Sequence, residues 1–473
     1  MKKYDLIVIG TGSGMNYVGS IIEMNPDFKV AVIDKDEPGG ICLTRGCIPS
    51  KLLLYPAELI RTIGTAGKFG IDVTLKNIDF KYIIEKMRTD ISKDIESIRE
   101  GLSSDPKLDY YHGTAKFISP YTMKVGNETI TSKMIFLCTG SRTIIPKVKG
   151  LEETGYLTSD TLLKLSVLPQ SLAIIGGGYI AAEYGHFFSS MGSKVTIIGR
   201  NNLFIPEVEP EISKLARREM SRFMDIVTGH EVVEVQKSGD GKKKVIATAQ
   251  GKKVDFIADE IMVASGRGPV NDILHPDKSG IKTDPKGWII VNEYLETTQP
   301  NIWAFGDADG KYLFKHVANY ESKIVFNNAI MKQKIKVDYH AVPYAVFSYP
   351  EIAGVGMGEK DALEKYGAEN ILIGFHKYED TAKGQAMDVK DYFVKIIFEE
   401  STDRILGAHI IGPYASILIQ EIVNLMYSKE QNHGSIIQGM HIHPALSEVV
   451  QKAFYSLVPP EHYHHMLEHM GLD

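Results

Sequence analysis

Two cysteines separated by four residues carry the clearest chemistry in this chain: Cys42 and Cys47 in GGICLTRGCIPSKLLL. The segment reads as the start of a helix, which places the thiols little more than one turn apart. They can bridge if the helix is locally distorted, and Gly46 and Pro49 favour distortion. A bridge that short constrains little of the fold, so its use is chemical. A helix N-terminus favours thiolate, the species that thiol–disulfide exchange requires. A metal site would need further Cys or His ligands close by, and this segment has none. The third cysteine, Cys138 in the apolar run MIFLCTG, reads as a core residue.

Two glycine-rich turns supply a second kind of chemistry. Backbone N–H groups of such a turn, leading from a strand into a helix, can approach a pyrophosphate closely. The first turn offers Gly10, Gly12 and Gly14, with Met15 in the third glycine position of the fingerprint, and its second strand ends on Asp34. An acid there can hydrogen-bond ribose hydroxyls. The second turn, GGGYIAAEYG, offers Gly176 and Gly178, with Ala181 in the third position. Aligning KVAVID with KVTIIG puts Gly199 opposite Asp34, followed at once by Arg200. The acid that would repel a 2′-phosphate is absent, and a guanidinium can clamp one, which favours NADP over NAD at this second site.

The elements that must position these groups follow from length and pattern. A chain of 473 residues exceeds what one hydrophobic core supports, so about three domains are expected. The strand, glycine turn and strand grammar of residues 4–34 returns at residues 171–200, giving two βαβ units. Helical periodicity runs from Phe80 to Arg99. From Val342 the texture changes to strands at 392–398 and 405–411, then helices at 415–433 and 447–456, a separate α+β domain. A net charge of −6 gives no footprint for nucleic acid. No apolar stretch approaches the roughly 18 residues of a membrane span, and the N-terminus does not read as a signal peptide. A cytoplasmic location is expected. The histidines at 462, 464, 465 and 469 read as a solvated helical tail, so no metal site is expected.

With these motifs in place, the chain resembles the pyridine-nucleotide disulfide oxidoreductases, the family of dihydrolipoamide dehydrogenase, glutathione reductase and mycothione reductase. GGICLTRGCIPSK resembles that family's redox-active segment. CTGSR, with Gly140, resembles its strand-turn before the pyridine-nucleotide domain. TQPNIWAFGDADG resembles the stretch whose aspartate, here Asp307, binds the flavin ribityl chain, and HIHPALSE resembles the acid–base motif. The resemblance implies an α/β fold with two Rossmann-like dinucleotide-binding domains, for FAD and NAD(P), and a C-terminal α+β dimerisation domain. The implied boundaries are 1–147 for FAD, 148–270 for NAD(P), 271–341 for a return to the first domain and 342–473 for the interface.

The same resemblance implies roles. Cys47 would face the flavin and Cys42 the substrate; His443 would be the acid–base, oriented by Glu448; Lys51 and Glu183 would pair beside the flavin. His443 would reach the cysteines of a second subunit, so a homodimer is implied. Dihydrolipoamide dehydrogenase is the broadest match for CIPSK and the leading reading. Arg200 and Met15 stand against it, and GTGSG, KHVANYES and HIHPALSEVV look more like mycothione reductase, an NADPH-dependent reductase of a small disulfide. Docking into a 2-oxo-acid dehydrogenase complex and a flavin oxidase without disulfide chemistry are further readings. The chain ends without cysteine, so the C-terminal thiol pairs of mercuric reductase and large thioredoxin reductase are missing.

Overall fold

The computed structural model describes residues 1–472. The apolar runs LIVI and VAVID form parallel strands at Leu6–Ile9 and Val30–Asp34, almost wholly buried. They lie inside a five-stranded parallel sheet in the order 302–304, 135–137, 6–9, 30–34, 108–112. Parallel strands covered on both faces read as continuous Val/Ile runs rather than alternating ones, which is why these segments stand out in sequence. Strand 302–304 joins this sheet from far along the chain, after the second nucleotide unit has been completed.

That second unit is a four-stranded parallel sheet in the order 225–227, 194–198, 171–175, 260–263. The C-terminal part is a six-stranded antiparallel sheet in the order 343–346, 352–356, 404–411, 393–399, 371–377, 457–458. Its core combines Val355, Ile396, Ala408 and Ile410 with Leu418, Ile422 and Val449 from the helices that cover it.

The helices that matter for chemistry are α1 (Gly40–Thr44), α2 (Cys47–Thr65), α3 (Phe80–Ser104), α4 (Tyr179–Met191), α5 (Lys315–Ala329), α6 (Ala415–Met426) and α7 (Ser447–Tyr455). Helix α3 outruns the expected Arg99 by five residues; its start is set by Asp79, which accepts from the Tyr82 N–H at 2.9 Å. The helix expected over 415–433 stops at Met426, and a short helix, Gly434–Gln438, follows a turn. After the first glycine turn a 3-10 turn, Ser13–Met15, precedes the helix at Val18–Met24. Gly14 packs there against the Cys138 thiol: a Cβ on it would stand 2.9 Å from Sγ.

A buried ionic cluster ties the second nucleotide unit to the C-terminal sheet. Lys395, with no solvent exposure, places Nζ 2.6 Å from carboxylate oxygens of Glu209, Glu211 and Glu359. Tyr463 donates its hydroxyl to Glu211 at 2.8 Å. Three glutamates this close could hold a cation, and the Lys395 ammonium stands among them as one. Removing one partner of such a cluster leaves an uncompensated buried charge, which costs about 3–5 kcal/mol.

Candidate active site

The expected single helix through the cysteines is two helices. Arg45 and Gly46 leave helical geometry between α1 and α2, so Cys42 sits in the middle of one and Cys47 opens the other. The break is what a Cβ would fill: on Gly46 it would lie 2.8 Å from the Ile41 carbonyl oxygen. The thiols are free and hydrogen-bond one another. That bond, with the Lys51 ammonium assisting against burial, pulls the Cys47 thiol down to about 7, while the same bond and burial push Cys42 up. The pair is therefore a thiolate at Cys47 and a thiol at Cys42 near neutral pH.

Lys51 stands one turn beyond Cys47 on the same face of α2. Its ammonium meets both Glu183 oxygens, at 2.9 and 2.8 Å, and lies 4.3 Å from the centre of the Phe347 ring. Glu183, buried on α4, also accepts from the Phe347 N–H at 3.1 Å. Sequence motifs 132 residues apart thus become one ion pair beside the thiols.

The redox segment is set directly on the first glycine turn. A Cβ on Gly40, whose φ is +70°, would come within 2.6 Å of Gly12 Cα; on Gly10, at φ +104°, it would strike the Cys138 carbonyl oxygen at 2.2 Å. Only glycine satisfies both the backbone and the space. Asp34 is held at the turn: one carboxylate oxygen accepts from Thr11 N–H at 2.8 Å and Thr11 Oγ1 at 2.6 Å, the other from Asp36 N–H at 3.0 Å. At the far side Asp307, raised by burial, accepts from the Ser141 hydroxyl, and Arg267 donates to that hydroxyl at 2.7 Å and to the Ser141 carbonyl at 2.8 Å.

These groups share one cavity of about 1480 Å³, which is lined by Gly10, Gly12, Asp34, Gly140, Asp307, Cys42, Cys47, Lys51 and Glu183. Gly14 backs the turn without lining it. Thr11, Arg267, Tyr179 and Lys315 also line the cavity, and no motif spacing singles them out. Lys315 heads the KHVANYES stretch, so its signal was visible, but no spacing rule connects it to residue 13.

The remaining groups stand apart. Gly176 has φ +130°, and a Cβ there would lie 2.2 Å from the Ala264 carbonyl oxygen; with Gly178 it forms the turn at the N-terminus of α4. Arg200 is exposed just past strand 194–198, beside Gly199, and no carboxylate among the described residues pairs with it. His443 Nδ1 lies 3.0 Å from Glu448 Oε1, and Glu448 also accepts from Ala445 N–H at 3.2 Å. The His443 bond holds the Glu448 carboxyl below its ordinary range. His443 is 70% exposed and lies outside the cavity of its own chain, flanked by the exposed Met440 and Ile442. His441 is 10% exposed and turned the other way, 3.0 Å from Glu421 of α6.

Two parallel nucleotide-binding sheets, a dithiol laid on one glycine turn, and an antiparallel C-terminal sheet define a two-dinucleotide dithiol oxidoreductase. Residues 4–322 match the family described as pyridine nucleotide-disulphide oxidoreductase, and residues 342–454 match its dimerisation domain. The chain belongs to that family. It is 33% identical over 469 residues to mycothione reductase of Mycobacterium tuberculosis, covering 97% of this chain and 100% of that one. It is 34% identical over 473 residues to dihydrolipoyl dehydrogenase of Chlamydia muridarum, covering 98% of both. The solved HOCl-induced flavoprotein disulfide reductase RclA of Escherichia coli superposes with a TM-score of 0.83 at 28% identity, covering 96% of this chain and 99% of that one.

The family uses FAD and a pyridine nucleotide. The cavity fits the first: Gly10, Gly12 and Gly40 pack backbone against backbone with no side chain over the turn, and Asp34 and the two thiols line the same cavity. No helix among the described residues is long and apolar enough to cross a membrane.

Proposed function

We propose that this oxidoreductase uses NADPH to reduce a low-molecular-weight disulfide through Cys42 and Cys47. The observation that carries the choice is Arg200, exposed and unpaired with Gly199 in the place of an acid. A free guanidinium at that position offers paired hydrogen bonds to a 2′-phosphate, and Gly199 brings no acid to the strand end. Similarity to mycothione reductase over the full chain supports the same reading.

Gly176 and Gly178 would receive the pyridine-nucleotide pyrophosphate at the start of α4, and Gly10, Gly12, Asp34, Gly140 and Asp307 would hold FAD. FAD bound there supplies a two-electron relay between nicotinamide and the Cys42–Cys47 bridge. Cys47 is its flavin-side thiol: Lys51, held by Glu183, stabilises negative charge on that sulfur. Cys42, as thiolate, attacks the substrate disulfide, so that one new S–S bond forms and one substrate thiol leaves. His443 from a second copy of the chain removes the Cys42 proton and returns it to the departing thiolate, with Glu448 holding its Nδ1. Cys47 thiolate then attacks Cys42 Sγ of the mixed disulfide, restoring the bridge and releasing the second substrate thiolate, which takes a proton from solvent.

A second reading, dihydrolipoyl dehydrogenase, runs the same parts in reverse with NAD and is supported by relatives at 34% identity. In that case the chain could also dock into a 2-oxo-acid dehydrogenase complex. Steady-state rates with NADPH and NADH against glutathione disulfide, mycothiol disulfide and lipoamide separate the two. NADPH preference with a small disulfide, reduced at least about tenfold in Arg200→Gln, is expected. Strong NAD reduction by dihydrolipoamide with no NADPH activity overturns it.

A further inference from the structure

Lys315 is a cation without a counter-charge inside the cofactor cavity. It is the first residue of α5, so its ammonium lies at the positive pole of a helix, where cations are disfavoured. Its hydrogen-bond partner is neutral: Nζ donates to Ser13 Oγ at 2.9 Å. No carboxylate among the described residues reaches it for an ion pair. The Ser13 hydroxyl donates to Asn319 Oδ1 at 2.9 Å, and Asn16 Nδ2 donates to the same oxygen at 3.0 Å. A continuous hydrogen-bonded chain therefore fixes Lys315 against the first glycine turn. The same charge acts on the Cys42 and Cys138 thiols, which places it toward the dithiol end of the cavity as well. Glu321, two turns along α5, is pushed up to about 8 by burial, with Asp309 adding to the rise. It is mostly uncharged at neutral pH and leaves Lys315 unneutralised.

A half-buried ammonium at a helix N-terminus, held by a neutral hydroxyl, is favoured by an anion that shares the cavity. We propose that Lys315 meets negative charge on the bound FAD, from its pyrophosphate or from its reduced ring. The inference rests on the family's use of FAD and is independent of which disulfide is the substrate.

The test uses full-length Lys315→Met and Lys315→Arg, with Lys311→Gln as a control for general loss of charge, since Lys311 is exposed. Affinity of each apoprotein for oxidised FAD is measured at low salt, and the two-electron potential of each reconstituted protein against a reference dye. A pyrophosphate contact weakens FAD binding in Lys315→Met by about ten- to hundredfold, the range for a charged hydrogen bond. A reduced-ring contact leaves binding intact and makes reduction about tenfold less favourable, a shift of ~30 mV. Lys315→Arg retains either property, and Lys311→Gln changes neither. The proposal is overturned if Lys315→Met matches wild type in both measurements. It is equally overturned if Lys315→Arg and Lys315→Met lose FAD alike with lowered apoprotein melting, since that marks a packing role. Substrate rates do not enter, so failure of the reductase reading leaves this result standing.

Discussion

At the scale of residues, the site works through unequal treatment of two like thiols. Cys47 shares its sulfur with the Cys42 hydrogen bond and lies in the field of Lys51, so it holds a thiolate from about pH 7 upward. Acid removes that charge: as pH falls through about 7 the thiolate is lost, and with it the reactive form. In Lys51→Met the favourable field disappears while burial still raises the thiol, so the thiolate should be lost at a pH about one unit higher. Ultraviolet thiolate absorbance of the reduced protein, titrated against pH, reads this directly. An unchanged titration would show that Lys51 serves Glu183 alone. The two histidines make the same point. Only two positions apart in the chain, His441 is buried on Glu421 while His443 is presented to solvent on Glu448.

At the scale of elements, the chemistry depends on interruptions. The thiols approach because α1 and α2 are separate, and they are separate because Gly46 lets the backbone pass within reach of the Ile41 carbonyl. Gly46→Ala should force that contact apart, costing about 1–3 kcal/mol and spreading the thiols. Thermal melting checks the first effect and the dithiol–disulfide potential the second; a wild-type potential would mean the spacing is set elsewhere. Helix α3, by contrast, was readable in outline from its periodicity, but its last turn and the end of α6 were not. Those ends depend on tertiary neighbours more than on propensity.

At the scale of the whole molecule, the proposed acid–base and the dithiol are apart within a single chain. The cavity has the dithiol, and His443 stands outside it among exposed apolar residues, Met440 at 102% and Ile442 at 78% exposed. Exposed apolar side chains such as these are expected where another surface covers them. If His443 serves a second copy, mixing inactive His443→Gln with inactive Cys42→Ser and allowing exchange should recover about a quarter of wild-type activity, because half the dimers are mixed and each carries one intact site. No recovery after verified exchange would place the histidine in its own subunit's chemistry.

The sequence by itself determined the class of the molecule. Glycine turns after apolar runs, a dithiol at fixed spacing and an acid or its absence at a strand end are local features, and their chemistry follows from residue type and separation along the chain. Tertiary structure decided what requires distant segments to meet. Lys51 and Glu183 are joined only because α2 crosses α4, and the ammonium held there adds to the asymmetry that the Cys42–Cys47 hydrogen bond sets. Lys315 acquires meaning only because α5 brings it to Ser13, three hundred residues earlier, where no carboxylate among the described residues pairs with it. Charge and burial are properties of the assembled neighbourhood, and no run of residues carries them alone.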